Sequence, residues 1–364
     1  MKITNVRATT HDVAVDDVPL IDEAISREMV FVEIETDEGI SGYGITSKVQ
    51  WYGIRELINR EMAPLLEGMN PLETEKIWDT LQWKLNKRVQ TGAWSSAMSA
   101  VDIACWDIKG KRYDEPVWRL LGGAKDEVPA YMTIGLKRYS KDQLVEVGQH
   151  FVDEGQVGLK MKVGINGAQD PAEDAARVAA LREGVGDDID IMIDANYEFP
   201  IHHALDLCNR IEQYNITWFE EPVRGNDAQL LQKLGENTSI PIAAGQNEGH
   251  RYRHRELITS GAIDISQPNV VFVGGFTEGK KVGSVAQTFN IDLSNGAGFP
   301  IHNSQLLAAM PNGWYAEFHL VTWKVETLIY QDTPDPIAGT VSMPEKPGLG
   351  LEPDWDVLEE FNVE

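Results

Sequence analysis

The pattern of hydrophobic and polar residues changes within the first third of the chain. Residues 1–45 contain short alternating runs, most clearly residues 29–36 (MVFVEIET), and this period of two predicts β-strands. Residues 53–110 instead repeat their apolar positions at helical spacing. Strands followed by a run of helices are typical of an α+β domain. Within it, the polar residues 14–28 form a candidate mobile loop.

A second change follows Gly123, where short β-rich runs begin to alternate with amphipathic stretches such as residues 171–184. Eight strands with intervening helices at this spacing favour a (β/α) barrel over an open doubly wound sheet. No G-x-G-x-x-G follows a strand candidate, which argues against a dinucleotide-binding fold. We therefore predict an α+β domain over residues 1–125, a barrel over residues 126–340 and a return segment over residues 341–364. The strand candidates begin near Val128, Gly158, Asp190, Ile216, Ile240, Ile263, Ile291 and Tyr315.

Composition and charge limit the partners of such a protein. With 42% hydrophobic and 24% charged residues, the chain has the composition of an ordered globular protein. Its 57 acidic against 32 basic residues give a net charge of -25, and such a surface repels nucleic acid and anionic membranes. This charge is compatible with a salt-rich cytoplasm, but ordinary bacterial enzymes are acidic too.

The cysteines and the start of the chain bear on the compartment. Cys105 and Cys208 lie far apart within helix-like patterns and suggest reduced, buried thiols. The first residues run directly into a strand pattern without an apolar leader, and no apolar run is long enough to cross a bilayer. We therefore expect a cytoplasmic protein.

Two lysines interrupt the apolar run at residues 159–164 (LKMKVG). Side chains at i and i+2 of a strand share a face, so Lys160 and Lys162 are expected to project side by side into one cavity. Neighbouring ammonium groups disfavour each other's charged form, which lowers the pKa of at least one lysine towards that of a base. A pair of solvated lysines at an exposed strand end is the alternative that this triplet alone leaves open.

Oxygen-bearing side chains stand at the ends of the next three strands. Asp194, Glu220 and Gln246 follow one another at steps of 26 residues, the length of one βα unit. Because such barrels build their sites at the carboxyl ends of the strands, we expect the three to converge. Crowded oxygen ligands without His or Cys suit Mg²⁺, although each acid taken singly is more simply a helix N-cap or a solvated residue. A divalent cation facing a lysine base suits removal of a proton α to a carboxylate, because the metal stabilises the enediolate.

These features, with several short motifs, resemble the enolase superfamily in its mandelate racemase-like branch over essentially the whole chain. The resemblance implies a (β/α)7β barrel of the TIM type, capped by the N-terminal α+β domain, with the return segment packed on that cap. It also implies a homo-oligomer and a cap whose loops at residues 14–28 and 46–52 close over the substrate. The matching stretches are residues 97–110, residues 116–123, Lys160 with Lys162, Asp194 with Asn196, residues 220–222, residues 267–268 with 274–275, and residues 347–350.

Catalytic and substrate-binding roles follow by position from the resemblance. It implies Lys162 as the general base, and Lys160 as the neighbour that depresses its pKa and meets the substrate carboxylate. Glu317 matches an acid at the last strand end that contacts the substrate carboxylate or enediolate, while an ordinary ion-paired glutamate is an equal alternative. Asn196, next to the metal set, is expected to contact the substrate.

The metal site departs from the family pattern at its third position. The resemblance implies Asp194 and Glu220 as ligands of Mg²⁺, with a third glutamate where this chain has Gln246. A glutamine carbonyl oxygen still ligates a hard cation, but the lost negative charge should weaken binding. Glu248, two residues further, is a candidate to compensate.

The face opposite Lys162 departs from the pattern as well. Branches of the family place an aspartate or lysine on strand six, where this chain has Asn269, and the aspartate pairs with a histidine where Asn295 stands. A neutral amide is neither acid nor base near pH 7, so we assign these asparagines to substrate binding. His302, several residues further, is the candidate general acid, with a structural loop histidine as the alternative.

The absence of the aspartate and histidine pair decides which reaction we predict. A racemase needs catalysts on both faces of the substrate carbon, and the sequence offers one secure base. We therefore predict an Mg²⁺-dependent acid-sugar dehydratase, a lyase in which Lys162 takes the α-proton and His302 or a water on the metal assists loss of the β-hydroxyl. An epimerase, racemase or cycloisomerase remains as an alternative. So does a protein with a disabled metal site that binds an acid without turning it over.

Overall fold

The computed structural model describes residues 1–47 and 50–363. Its N-terminal domain begins with an antiparallel three-stranded sheet, in which the middle strand pairs with both neighbours. Helices follow, as the change in hydrophobic period predicted. The strands are β1 (Ile3–Val15), β2 (Ile25–Thr36) and β3 (Ser41–Ser47), and the helices are α1 (Trp51–Glu56), α2 (Ala63–Leu66), α3 (Thr74–Leu85), α4 (Ala93–Tyr113) and α5 (Val117–Leu121), with a π-helical stretch at Leu57–Met62.

Helix α4 packs very closely on strand β3. A Cβ added at Gly44 would lie 2.0 Å from the carbonyl oxygen of Ala100, and one at Gly42 would lie 2.2 Å from that of Ala104. No side chain fits at those distances, so both strand positions require glycine. The helix is buried on nearly all sides, which explains why its apolar residues are not confined to one stripe.

All eight strand candidates are present, and they form one parallel sheet in the order β10-β9-β8-β7-β6-β5-β4-β11. Each strand is followed by a helix on the outside of the sheet. The strands are β4 (Glu127–Gly135), β5 (Gly158–Lys162), β6 (Asp190–Asp194), β7 (Ile216–Glu220), β8 (Ile242–Ala244), β9 (Ile265–Ser266), β10 (Asp292–Leu293) and β11 (Ala316–His319). The helices are α6 (Lys141–Asp153), α7 (Ile165–Ala168), α8 (Pro171–Val185), α9 (Ile201–Ile211), α10 (Ala228–Gly235), α11 (His250–Thr259), α12 (Gly275–Thr288), α13 (Pro300–Ala309) and α14 (Leu320–Ile329), with 3-10 turns at Glu212–Tyr214 and Arg224–Asn226.

Backbone hydrogen bonds close this sheet into a barrel. Leu293 of β10 donates its N–H to the carbonyl oxygen of Asn312 at 2.8 Å and accepts from Trp314 at 2.6 Å, just before β11 begins. The fold is therefore the TIM-like (β/α)7β barrel with an N-terminal α+β domain that the sequence predicted. The eighth strand also carries a helix, α14, which packs against β1 and β2 of the N-terminal sheet as well as against α13.

The last part of the chain returns to the N-terminal domain. Its elements are β12 (Tyr330–Gln331), β13 (Thr340–Ser342), β14 (Glu352–Pro353) and α15 (Trp355–Glu360). Strand β13 pairs antiparallel with β4, whereas β12 pairs with β14. Beyond α15, the carbonyl oxygen of Phe361 accepts from Asp12 at 3.0 Å, and Val363 donates to Thr10 at 2.8 Å. The return segment thus extends the edge of β1, while the domain limits at residues 125 and 340 stay predictions.

The first expected loop is more regular than its polar sequence suggested. Strand β1 runs to Val15 and β2 begins at Ile25, so the connection shrinks to residues 16–24, in which Val18 and Ile21 are buried. Of the second expected loop, residues 46–52, Lys48 and Val49 lie outside the described residues. Within the described ranges, every helix is too short or too polar to cross a lipid bilayer.

Asp107 of α4 joins three parts of the molecule. Its buried carboxylate accepts from the backbone N–H of Tyr43 in β3 at 3.0 Å and from that of Leu349 in the return segment at 2.9 Å. The Nζ atom of Lys111 lies 2.8 Å from the same side chain. This one carboxylate therefore satisfies two backbone donors and one ammonium group.

We expect Asp107→Ala to lower the free energy of unfolding by about 2–4 kcal/mol, because buried donors lose their acceptor. Denaturant unfolding followed by circular dichroism measures the change. The control is Asp206→Ala, which removes an exposed carboxylate 3.1 Å from Arg210 on the surface of α9. It should change stability by less than about 0.5 kcal/mol. Equal losses in the two variants would contradict the assignment.

Candidate active site

The barrel interior has an apolar floor with a polar layer directly above it. Alternate residues of each strand point inward, so each floor residue is followed two positions later by a residue of the layer above. The floor consists of Tyr131, Met192, Trp218, Ala243, Ile265 and Tyr315. Two residues after Tyr131, Met192, Trp218 and Tyr315 stand Thr133, Asp194, Glu220 and Glu317.

Lys160 occupies the centre of the polar layer and is completely buried. Its Nζ atom donates to both carboxylate oxygens of Glu220, at 2.8 and 2.7 Å, and lies 2.7 Å from Oε1 of Glu317. The hydroxyl of Tyr131 lies 3.2 Å away. Burial alone would lower the pKa of this lysine, but the two carboxylates outweigh it and hold the pKa well above its ordinary value.

This environment corrects one expectation from the sequence. The two lysines share a face of β5 as predicted, but the pKa of Lys160 is raised by its carboxylate partners rather than lowered by Lys162. Its charge is fully balanced within the barrel, and its burial keeps it from the surface of the cavity. Direct contact between Lys160 and a substrate carboxylate is therefore not supported by this geometry.

Lys162 ends the same strand and reaches the cavity. Its Nζ atom lies 2.5 Å from Oδ2 of Asp194 and 3.0 Å from Oδ1 of Asn196, and its side chain is 16% exposed. The other oxygen of Asp194 accepts from the backbone and side-chain nitrogens of Asn196 at 2.8 and 2.6 Å. Burial opposes ionisation of Asp194, yet the two lysines lower its pKa to about 2.

Gln246 is oriented by the carboxylate next to Glu220. Its Nε2 atom donates to Oε2 of Glu221, so its carbonyl oxygen points the other way. A Cβ added at Gly296 would lie 2.8 Å from Oε1 of Glu220 and 2.9 Å from Oε1 of Gln246, which shows that both oxygens face the same point. Burial raises the pKa of Glu221 to about 8, although Tyr197 and Gln246 donate to its oxygens.

The convergent oxygens fit a hard divalent cation. Asp194 and Glu220 supply carboxylates, and Gln246 supplies an amide oxygen already turned towards Glu220, which is a donor set suited to Mg²⁺. Across residues 1–47 and 50–363, no group of three His, Cys, Asp or Glu side chains is arranged to hold a metal ion. Asp194 and Glu220 are paired on neighbouring strands and Gln246 faces Glu220, while the role of the three as metal ligands stays a prediction.

Glu248 contacts residues outside the expected metal set. Its oxygens lie 3.3 Å from Nδ2 of Asn226 and 3.4 Å from Nε of Arg253, on the outer side of the strand end. The carboxylate that stands beside Gln246 is Glu221, which the sequence showed only as part of a motif. The contacts of Glu248 are thus with Asn226 and Arg253, and a compensating role for it in the metal site stays a prediction.

Three residues around this set have left-handed backbone conformations. The φ angles are 45° at Asn196, 66° at Tyr197 and 42° at Glu221, a region that non-glycine residues seldom adopt. Such strain persists where the surroundings fix it, and it occurs frequently at functional sites. Here it turns Asn196 towards Lys162 and Glu221 towards Gln246.

A cavity of about 320 Å³ opens above the polar layer, between the barrel and the N-terminal domain. Lys162, Asn196, Gln246 and Glu317 line it, so these four predicted residues reach one site, with Asp194 hydrogen-bonded to two of them. The N-terminal domain contributes Arg27, from the first expected loop, and Ser47, from the second. The implied contribution of both loops to the site is thus supported at these two residues.

The two asparagines expected opposite Lys162 do not line the cavity. Asn269 donates to the carbonyl oxygen of Gly296 at 2.6 Å and accepts from the backbone of Val271 at 3.0 Å. Asn295 donates to Gly298 at 3.1 Å and accepts from the N–H of Glu317 at 3.0 Å. Both are completely buried, so they fix the loop after β10 instead of binding substrate, which corrects our assignment.

His302 is also misplaced for the role of general acid. It lies within α13, completely buried, and its Nδ1 atom is 2.6 Å from Oε1 of Glu326 in α14. The histidine that lines the cavity is His319, two residues after Glu317 on the last strand. The i, i+2 rule that predicts a shared face for the lysine pair also predicts that His319 shares a face of its strand with Glu317.

Residues 10–122 match the family model described as mandelate racemase / muconate lactonizing enzyme, N-terminal domain. Residues 143–357 match the model described as enolase C-terminal domain-like. The chain is 33% identical over 344 residues to an arabinonate dehydratase of Saccharolobus solfataricus, covering 92% of this chain and 90% of that protein. It is 32% identical over 361 residues to a D-galactarolactone cycloisomerase of Agrobacterium fabrum, covering 93% and 92%.

A solved structure agrees with these similarities. The crystal structure of L-talarate dehydratase from Polaromonas sp. JS666, complexed with Mg and L-glucarate, superimposes with a TM-score of 0.89 at 30% sequence identity. The similarity covers 100% of this chain and 98% of that one. The chain therefore belongs to the mandelate racemase/muconate lactonizing enzyme branch of the enolase superfamily.

Proposed function

We propose that this protein is an Mg²⁺-dependent acid-sugar dehydratase, which removes the proton α to a carboxylate and releases the β-hydroxyl as water. The observation that carries this proposal is the asymmetry of the cavity. Lys162 lies on one face of the cavity with its amine directed inward. Asn269 and Asn295 are instead hydrogen-bonded to the backbone of the loop that forms the other face. One base suffices for an elimination but not for proton exchange between two faces.

Lys162 is the base that takes the α-proton in this proposal. Its Nζ atom is held between Asp194 and Asn196, which fix the direction from which it approaches a substrate carbon. Taking the α-proton turns the amine into an ammonium group, and this group is then the nearest acid for the departing hydroxyl. Lys162 alone can therefore carry the proton through the reaction, because the proton that it takes from the substrate carbon leaves with the hydroxyl oxygen as water.

Asp194, Glu220 and the amide oxygen of Gln246 would hold Mg²⁺, which would supply positive charge to offset the negative charge that develops on the substrate. Glu317 lines the cavity with its carboxylate fixed by Lys160 at 2.7 Å, by Thr133 at 2.5 Å and by the backbone of Gly298 at 2.6 Å. A carboxylate fixed in this way accepts a hydrogen bond from a substrate hydroxyl without reorienting.

His319 contributes a hydrogen bond rather than a full proton. Burial, with the nearby charge of Lys162, lowers its pKa to about 3, so it is neutral near pH 7. Its Nδ1 atom accepts from the backbone N–H of Val321 at 3.3 Å, which leaves the proton on Nε2. His319 therefore replaces His302 in our account, as a donor to substrate oxygen.

We expect Lys162→Ala to lower kcat by about 10²–10⁴, the usual contribution of a positioned acid or base. Turnover of an acid-sugar library with Mg²⁺ present measures this, and thermal melting confirms that the variant is folded. The matched control is Lys233→Ala on the exposed face of α10, which should leave turnover unchanged. Retained turnover in Lys162→Ala would refute the proposed base.

Product analysis in D₂O tests the reaction class. A dehydratase gives a 2-keto-3-deoxy acid, whereas an epimerase, racemase or cycloisomerase gives an isomer of the substrate. The similarity to a cycloisomerase makes this comparison necessary. Thermal stabilisation by an acid sugar without any product would instead identify a binding protein.

We expect Gln246→Glu to bind Mg²⁺ at least about tenfold more tightly, because a carboxylate replaces an amide in the ligand set. The metal-free variant should melt at a lower temperature than the native protein, since the new carboxylate faces Glu221 where an N–H donor stood. Calorimetry and melting with and without Mg²⁺ measure the two effects. Gln229→Glu, the same change on an exposed position of α10, should alter neither. Weaker Mg²⁺ binding by Gln246→Glu would contradict the ligand assignment.

A further inference from the structure

Arg27 stands out among the cations of the cavity because the described residues offer it no ion pair. It lies near the start of β2, and its side chain lines the cavity that also contains Lys162. Its Nε atom is buried without a hydrogen-bond partner in the described part of the chain. Glu28, the acid that most affects its pKa, is the next residue along the strand and points to the opposite face.

The remaining charges of the site are already matched. Lys160 is balanced by Glu220 and Glu317, and Lys162 by Asp194. A buried guanidinium without a counter-charge is unfavourable unless a ligand provides one. Arg27 therefore presents an unused positive charge at the end of the cavity formed by the N-terminal domain.

The group beside Arg27 is a donor as well. His319 is neutral and carries its proton on Nε2, and the charge of Arg27 contributes to the lowering of its pKa. A wall made of a guanidinium and an imidazole N–H offers donors and a net positive charge. Hydroxyl groups satisfy donors but do not neutralise charge, whereas a carboxylate does both and matches the planar guanidinium in a bidentate pair.

We propose that Arg27 binds a second carboxylate at the end of the substrate remote from the reacting carbon, so that the substrate is a sugar diacid. This inference rests on the proposed function, in which Lys162 of the barrel removes the proton next to the first carboxylate. Arg27 reaches the same cavity from the N-terminal domain. A substrate that fills the distance between them has an anionic group at each end.

The test compares sugar diacids with monoacids of the same length and configuration, using kcat/KM with Mg²⁺ present. The native protein should prefer the diacid at least about tenfold. Arg27→Met should abolish this preference by raising KM for the diacid, with little change for the monoacid. Arg27→Lys, which keeps the charge but loses the planar fork, should restore part of it. Arg210→Met, on the surface of α9, is the control and should leave the preference intact.

Calorimetry separates failure of this inference from failure of the proposed function. Diacid binding is measured to Lys162→Ala and to the same variant with Arg27→Met, so that turnover does not interfere. Diacid binding that is lost with Arg27→Met supports the inference even if no acid sugar is turned over. A preference for monoacids, or equal losses for diacid and monoacid in Arg27→Met, overturns it even if the dehydratase activity is real.

Discussion

The buried ammonium group of Lys160 is the constraint on which the site depends. A charge at the centre of a barrel, out of contact with water, is tolerated only if carboxylates surround it. Glu220 on β7 and Glu317 on β11 provide them, so a single lysine on β5 connects three strands across the barrel. The charge also decides which lysine does chemistry. Because the charge of Lys160 is paired with these two carboxylates, the amine that remains available to a substrate is that of Lys162.

Gln246, at the expected third metal-binding position, is held by the carboxyl group that follows Glu220 in the chain. Glu221 stands directly behind the glutamine and accepts its N–H, which fixes the amide oxygen towards Glu220. An amide held by a carboxylate is also a more polarised oxygen donor than a free amide. The position is therefore not simply a defect in the metal site.

Much of the fold and of the candidate site could be predicted from the sequence, and the predictions that were wrong share a cause. Regular spacing placed Asp194, Glu220 and Gln246, because the first two end their strands, Gln246 follows the end of β8 by two residues, and strand ends meet at one edge. Side chains that follow a strand by several residues, as that of His302 does, depend on turn geometry that no periodic pattern encodes. The position of Arg27 in the cavity could not be predicted from the sequence, for a different reason. Its place in the cavity depends on how one domain docks on the other, which leaves no trace in local sequence.

The return segment has a consequence for how the protein is made. Thr10, near the start of the chain, is hydrogen-bonded to Val363, and Asp12 to Phe361. The hydrogen-bonded residues are more than 300 positions apart in the chain. During synthesis β1 therefore leaves the ribosome long before the segment that completes its edge. Until synthesis reaches that segment, the first strand presents an open edge to the cell. The N-terminal sheet is thus the first part of the chain to be synthesised and one of the last to be finished.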